Sequence, residues 1–302
     1  MRNVRINTQD LIKPSWWNSH FMAPAAIDLG NIVRIFLGCH DKYGISRIGF
    51  IEVSKDKPNQ ILRISEDPVL DIGEAGSFDE NGVFPGSMFN FQDKLYFSYT
   101  GFQLGMKIPH YNFGNIAIFN KDLTKLTRLQ KSPLLDRSDE GLTVRAGITV
   151  QENGKNNIML YSSGSTFEII NNKLRPNYSI FRQNILGIET FSKFGIEVLS
   201  FNKDFEHGLG RPYLIKFKDD IYCFYTIRNK NFLYRSGVAF YSEQSDRFER
   251  KDSLISSMGS NSVGFDDQMV YFPAPCLVDD QLWVFYSGND FGKSGLGISI
   301  FQ

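Results

Sequence analysis

Short apolar runs rich in Phe, Tyr, Ile and Val alternate along the whole chain with clusters of Asp, Asn, Gly and Lys. That pattern predicts strands and tight turns rather than helices. One aromatic run recurs, in the copies IFLG, FSYTG, MLYSSG, CFYTIR and VFYSG. Its matching rings are Phe36, Tyr99, Tyr161, Tyr225 and Tyr286, spaced 61 to 64 residues apart. A second marker keeps step, with strands beginning around Pro24, Pro85, Gly147, Pro212 and Pro273, each 12 to 14 residues before its aromatic. Proline fits a strand start, where its missing amide costs no ladder bond.

Between the two markers lie the turn clusters LGN, FQDK, ENGKNN, KDD and VDDQ, the chemistry that closes hairpins. A third strand follows each aromatic: SRIGFIEVS, GNIAIFN, YSIFRQN, SGVAFYS and GLGISIF. More variable stretches such as KLTRLQKSP and DRFERKD take the place of a fourth. A repeat of this size matches a propeller blade with its loops, and five of them use the 302 residues. The expectation is an all-β chain, one five-bladed β-propeller domain spanning 1–302. The last repeat stops at its third strand, so the N-terminal RNVRIN would supply the missing outer strand. A β-sandwich with accidental spacing is the alternative.

Composition narrows the partners. The chain carries 33 basic and 33 acidic residues, so no global field gathers nucleic acid or an anionic membrane. No basic stripe with interleaved aromatics appears, and no nucleic-acid partner is expected. No window approaches the roughly 18 apolar residues of a membrane span, so no membrane partner is expected. The first residues lack an apolar stretch of signal-peptide length, which points to a cytoplasmic protein. Cys39, Cys223 and Cys276 sit in or beside apolar runs and read as buried free thiols of a reducing compartment.

In a propeller, inner strands line a central channel and the loops entering them form one face. His20, Asp79, Glu80 and Arg145 stand just before such strands, as do Glu206, His207, Arg211, Asp266, Asp267 and Tyr271. His40, Asp41, Arg228, Asn289 and Asp290 leave the second strands on the same side. Two carboxyl groups facing each other across a pocket can serve as a general acid paired with a base or nucleophile. Asp79 with Asp267 is the preferred catalytic pair and Glu206 the third choice, although FDENG and GFDDQ also read as Asp-capped turns.

Arg145, Arg211 and Arg228 fall at inner positions where an apolar channel would not place them. Converging guanidinium groups recognise phosphate or carboxylate, while ion pairs with neighbouring acids are the structural alternative. The remaining polar candidates, His20, Asp41, Glu80, His207, Asp266, Tyr271 and Asn289, are expected to bind substrate. The repeated tyrosines read as core rings, and Trp16 or Trp17 as a possible sugar-stacking surface. The histidines show no metal-ligand spacing, so neither metal nor organic cofactor is expected. Inorganic phosphate as a co-substrate is compatible with the arginines.

With these blocks in view, the chain resembles the five-bladed propeller glycosidases, including glycoside hydrolase families 43, 32 and 68 and the phosphorylases of family 130. APAAIDLGNIVRIFLG is similar to the first-blade pattern, and GSFDENGVFPGSMFNFQDKLYFSYTG to the second blade of uncharacterised bacterial relatives. GLGRPYLIKFKDDIYCFYTIR and GFDDQMVYFPAPCLVDDQLWVFYSGNDFGKSGLG look like blades four and five. The resemblance implies hydrolysis, phosphorolysis or transfer at a glycosidic bond, with a carbohydrate or sugar phosphate as partner. Two positions depart from it. Families 43 and 32 place Asp directly before the first-blade proline, where this chain has Ala23. Family 130 has Glu-Asp-Pro-Arg at the start of blade two, where this chain has Val83, Phe84, Pro85 and Gly86. Their absence admits a second reading, a carbohydrate-binding propeller without catalysis.

Overall fold

The alternating runs fold into strands joined by the turns that their Asp, Asn and Gly residues favour. The computed structural model describes residues 1–139, 141–152, 157–186, 195–259 and 264–301. Strand β1 (Arg2–Arg5) precedes five consecutive antiparallel meanders. The first is β2 (Ser19–Asp28), β3 (Ile32–His40), β4 (Ser46–Ser54) and β5 (Ile61–Ile64). The second is β6 (Val83–Phe91), β7 (Lys94–Leu104), β8 (His110–Phe119) and β9 (Leu126–Arg128). The third is β10 (Val144–Glu152), β11 (Asn157–Ile170), β12 (Lys173–Leu186) and β13 (Ile196–Leu199). The fourth is β14 (Glu206–Phe217), β15 (Asp220–Asn229), β16 (Tyr234–Ser242) and β17 (Arg247–Arg250). The fifth is β18 (Tyr271–Val278), β19 (Gln281–Ser287) and β20 (Leu296–Phe301).

Hydrogen bonding groups these strands into three sheets, the middle three meanders being joined by short parallel bridges between β8 and β10 and between β12 and β14. β1 lies antiparallel on β20, from Arg2 opposite Ile300 to Arg5 opposite Gly297, and so takes the outer place of the last meander. Ile6 continues from it into the core, fully buried, with its amide on the Leu296 carbonyl.

The two sequence markers have distinct physical jobs. Phe36, Tyr99, Tyr161, Tyr225 and Tyr286 are all buried on the second strands, where each large ring contributes about 1.5–3 kcal/mol of apolar burial. The phenol hydroxyls are satisfied: Tyr225 donates to Asp252 at 2.7 Å, Tyr286 to Asp266 at 2.9 Å and Tyr161 to Gln151 at 3.3 Å. Tyr99 accepts from the Asn115 amide.

The proline-glycine marker sits at a bulge. Every first strand slips register there, between Met22 and Ala25, Pro85 and Met88, Ala146 and Thr149, Gly210 and Tyr213, and Tyr271 and Ala274. Ala23, Gly147, Arg211 and Phe272 take left-handed φ at these places, the local distortion a bulge requires. The distorted backbone leaves carbonyls outside the ladders, and the Arg211 side chain collects them. Its guanidinium donates to Pro24 at 2.5 Å, Gly86 at 2.8 Å, Ala23 and Pro85 at 3.2 Å and Phe272 at 3.4 Å. Gly147 completes the ring, since a Cβ there would meet the Arg211 Cα at 2.9 Å. The first strands of all five meanders therefore meet around one arginine.

Candidate functional site

Above Arg211 lies a cavity of about 220 Å3, smaller than the roughly 300–1,000 Å3 of sites for drug-sized ligands and of a size for one small polar unit. Its walls come from the ends of second strands and the beginnings of third strands. β7 and β8 bring Phe102, His110 and Asn112, and β12 brings Arg175, Pro176 and Tyr178. β15 and β16 bring Arg228 and Tyr234, and the turn Asn289–Gly292 brings Phe291. His207 enters from β14, while Phe84 and Phe272 flank the arginine floor.

The electrostatics of this space run in one direction. Among the described residues that line it there is no Asp or Glu, whereas three guanidinium groups do. Arg228 lies 3.9 Å above the Tyr178 ring and 5.4 Å from that of Tyr234. Arg175 lies 4.8 Å over Phe232. Neither forms an ion pair among the described residues. Aromatic faces hold these cations in place without neutralising them. Arg211 has no carboxylate either, and burial pulls its guanidinium down to about 10, so it is still charged at neutral pH.

Burial pushes His207 down to about 4, assisted by the neighbouring Arg228 charge, and lowers His110 for the same two reasons. Both imidazoles are therefore neutral at pH 7. Four lining side chains carry a buried polar atom without a hydrogen-bond partner among the described residues: Arg228 Nε, Arg175 Nε, His207 Nε2 and Asn112 Oδ1. Buried polar atoms are normally paired, and such a concentration in one cavity marks a place for a ligand. Beside it the Tyr271 hydroxyl is also unpartnered among the described residues, its ring 5.3 Å from Phe291 and 5.8 Å from Tyr234.

Of the residues singled out from sequence, His207, Arg211 and Arg228 line this cavity, and Tyr271 packs behind it. The others are placed differently. Asp79 is 1 % exposed, ion-paired with Arg128 at 2.8 Å and bonded by Ser77. Glu206 accepts two 2.7 Å bonds from Arg250 and a third from the Asn202 amide. Asp267 is exposed and accepts from Asn289 Nδ2 at 2.6 Å. Asp266 is buried under the Tyr286 hydroxyl. Asn289 holds the amides of Gln268 and Met269, and Glu80 holds that of Gly76. Asp41 closes its own turn and pairs with Arg47. Arg145 donates to the Asp136 carbonyl outside the cavity lining. His20 stacks on His40 with ring centroids 3.9 Å apart. Trp16 and Trp17 bond the carbonyls of Glu66 and His20 and do not line the cavity.

Arg175, Tyr178, Tyr234, His110 and Phe291 were not anticipated. The first two ride on a hairpin longer than the repeat suggests. β11 and β12 pair without a break from Asn157 opposite Leu186 to Ile170 opposite Lys173. The expected third strand begins at Tyr178, in YSIFRQN, and nothing local in the NKLRP before it says that the hairpin extends to the cavity.

No protein-family model matches the chain. The uncharacterised protein Rv1502 of Mycobacterium tuberculosis (strain H37Rv) is 23% identical over 290 residues, covering 95% of this chain and 94% of that one. An uncharacterised protein of a second strain, MT1551, is 22% identical over the same length. Among solved structures, a glycosyl hydrolase from Bacteroides ovatus superposes with a TM-score of 0.69 at 13% identity, over 99% of this chain and 90% of its own. A thermostable family-43 glycoside hydrolase gives 0.63 at 12% identity, over 98% and 92%. A GH130-family structure, from work on glycoside hydrolases that target β-1,2 mannosidic linkages, gives 0.68 at 15% identity, over 100% and 94%. The fold of this chain is thus the one shared by these propeller glycosidases.

Proposed function

We propose that this protein is a single-domain, five-bladed β-propeller that binds an anionic carbohydrate, a sugar phosphate or a uronic acid, in the arginine-lined cavity. The observation that carries this reading is the set of orphaned polar atoms on Arg228, Arg175, His207 and Asn112 around a space without a described carboxylate. A phosphate or carboxylate supplies the acceptors that the arginines lack, and a bidentate contact is the geometry guanidinium groups favour. Tyr178, Tyr234 and the phenylalanines offer flat apolar surface to a sugar ring. The unit fits as one glycosyl group.

Turnover at a glycosidic bond is the second reading, favoured by the glycoside hydrolases that share the fold. The carboxylates expected to perform it, Asp79, Glu206 and Asp267, each have structural partners and none lines the cavity. Binding without hydrolysis by a carboxylate pair therefore ranks first.

Titration calorimetry with glucuronate, hexose phosphates, inorganic phosphate and the matching neutral sugars tests both. The expected result is binding of an anionic sugar, weakened about 10- to 100-fold in Arg228→Ala and in Arg175→Ala, the worth of one charge-assisted hydrogen bond. Equal affinity for neutral sugars, or indifference to both arginines, overturns the anionic reading. Release of product from an anionic glycoside, abolished in Asp267→Asn or Glu206→Gln with binding retained, moves the weight to the enzyme.

A further inference from the structure

The four orphaned atoms of the cavity are not alike. Arg228 Nε and Arg175 Nε can only donate a hydrogen bond. His207 Nε2 can accept one, and the opposite nitrogen of the ring decides that it does. Nδ1 lies 3.3 Å from the Pro176 carbonyl, an oxygen that only accepts, so the neutral ring keeps its proton there. The lone pair is then on Nε2, buried, unpartnered among the described residues and carried by a ring that lines the cavity. Asn112 Oδ1 is a second acceptor on the same wall.

The imidazole is also held in place. It is buried, and its ring meets that of Phe232 edge-on with centroids 5.8 Å apart. Arg175 lies over the same phenylalanine at 4.8 Å, next in the chain to the proline whose carbonyl orients the imidazole. Burial, then the charges of Arg228 and Arg175, lower the affinity of the ring for a proton, so it is neutral at pH 7. An uncharged base thus stands close to two guanidinium groups in a space without a described carboxylate.

A sugar acid whose carboxylate sits on those guanidinium groups brings the neighbouring carbon towards the imidazole. In a uronate that carbon is C5. Its hydrogen is weakly acidic, because the charge left on its removal spreads onto the carboxyl oxygens. Fixed guanidinium groups stabilise that charge as it develops. The bound anion also offsets the two positive charges beside His207, which makes the ring a stronger base in the complex than in the free cavity.

We propose that the protein cleaves a 4-O-linked uronate by β-elimination, with His207 transferring the proton and Arg175 and Arg228 holding the carboxylate. Nε2 takes the C5 proton, the electron pair of that bond forms a C4=C5 double bond, and the C4–O4 bond breaks. The protonated Nε2 then gives its proton to the departing O4. The two products add up to the substrate, and no water is consumed. One group both takes and returns the proton, so C5–H and C4–O4 lie on the same face of the sugar, as in glucuronate and mannuronate but not galacturonate. Asn112 Oδ1 accepts from a ring hydroxyl. Elimination presupposes that the cavity holds an anionic carbohydrate, the reading above, and selects a uronate within it. It needs no carboxylate pair, which suits a glycosidase-like fold whose described cavity lining has no Asp or Glu.

The test is incubation of the full chain with a disaccharide linked through O4 of glucuronate, and with its galacturonate counterpart, followed by ultraviolet absorbance and mass spectrometry. The expected product from glucuronate absorbs through a double bond conjugated with its carboxylate, and the product masses sum to the substrate without added water. His207→Ala is expected to lower turnover at least ~100-fold, the usual worth of a general base, while calorimetric affinity for glucuronate changes less than about tenfold. His207→Gln is expected to give the same split, and circular dichroism checks that both variants fold. Products carrying an added water, turnover unchanged in both His207 variants, or cleavage confined to galacturonate overturns the proposal. Binding of the glucuronate disaccharide without product also overturns it and leaves the anionic-carbohydrate reading standing, whereas failure to bind any anionic sugar removes both.

Discussion

Arg211 shows how one side chain can belong to fold and site together. It is 4 % exposed, and its guanidinium serves carbonyls from three other first strands. A buried carbonyl stripped of its donor costs about 1–3 kcal/mol, and several would be stripped at once. Arg211→Met is therefore expected to lower unfolding free energy by at least ~3–5 kcal/mol in a denaturant titration. A change below 1 kcal/mol would mean that the strands hold one another without it. For that reason ligand binding is better probed at Arg228 and Arg175, which line the cavity, carry an orphaned Nε among the described residues and hold none of the carbonyls that Arg211 collects. The carboxylates tell the complementary story. Asp79 looked catalytic because FDENG precedes an inner strand, but a turn Asp next to Arg128 serves equally to hold that strand's entry.

The meander is the unit in which the repeated aromatic makes sense. In the fourth and fifth meanders the tyrosine pairs with a glycine on the third strand, Tyr225 with Gly237 and Tyr286 with Gly297. The ring lies across the gap left by the missing side chain. A Cβ at Gly297 would stand 2.2 Å from Tyr286, and one at Gly237 would stand 2.4 Å from Tyr225. Gly297→Ala is thus expected to cost about 1–3 kcal/mol of stability by overpacking, with near-ultraviolet circular dichroism reporting a moved tyrosine. A neutral effect would show that the ring has room to retreat. This also explains why glycines recur in SGVAFYS and GLGISIF, where a strand would otherwise favour a branched residue.

Across the whole molecule, every histidine is held neutral. His20 is pushed to about 4 by burial and the stacked His40, and His207 to about 4 by burial and Arg228; His40 and His110 are lowered mainly by burial. Each folded pKa lies below the unfolded value of 6.5, so between about 4 and 6.5 the unfolded chain binds more protons. Stability is then full above that window and falls as pH drops through it. Between pH 7.5 and pH 5 the loss is expected to reach at least ~2 kcal/mol in all, after allowing for solvent around half-buried rings. Chemical denaturation at the two pH values measures it, and a flat profile would contradict the histidine environments.

Much of the architecture was legible because it is written locally and repeated. A period of 61 to 64 residues, a ring at one position and a Pro or Gly at another identify the second strands and the bulged first strands without any long-range knowledge. Arg228 and His207 were also within reach, since each falls at a fixed place in the repeat. Arg175 was not, because its position depends on a hairpin extended beyond the repeat unit, and strand length is set by pairing rather than by composition. The same holds for the charge of the cavity, where Arg175, Arg211 and Arg228, remote from one another in the chain, come together with no Asp or Glu among the described lining residues. Local side-chain chemistry chose the strands, bulges and turns of this protein. Which buried polar atoms are left unpaired, and which charges stand together, are properties of distances between segments remote in the chain, and those were decided by the tertiary packing.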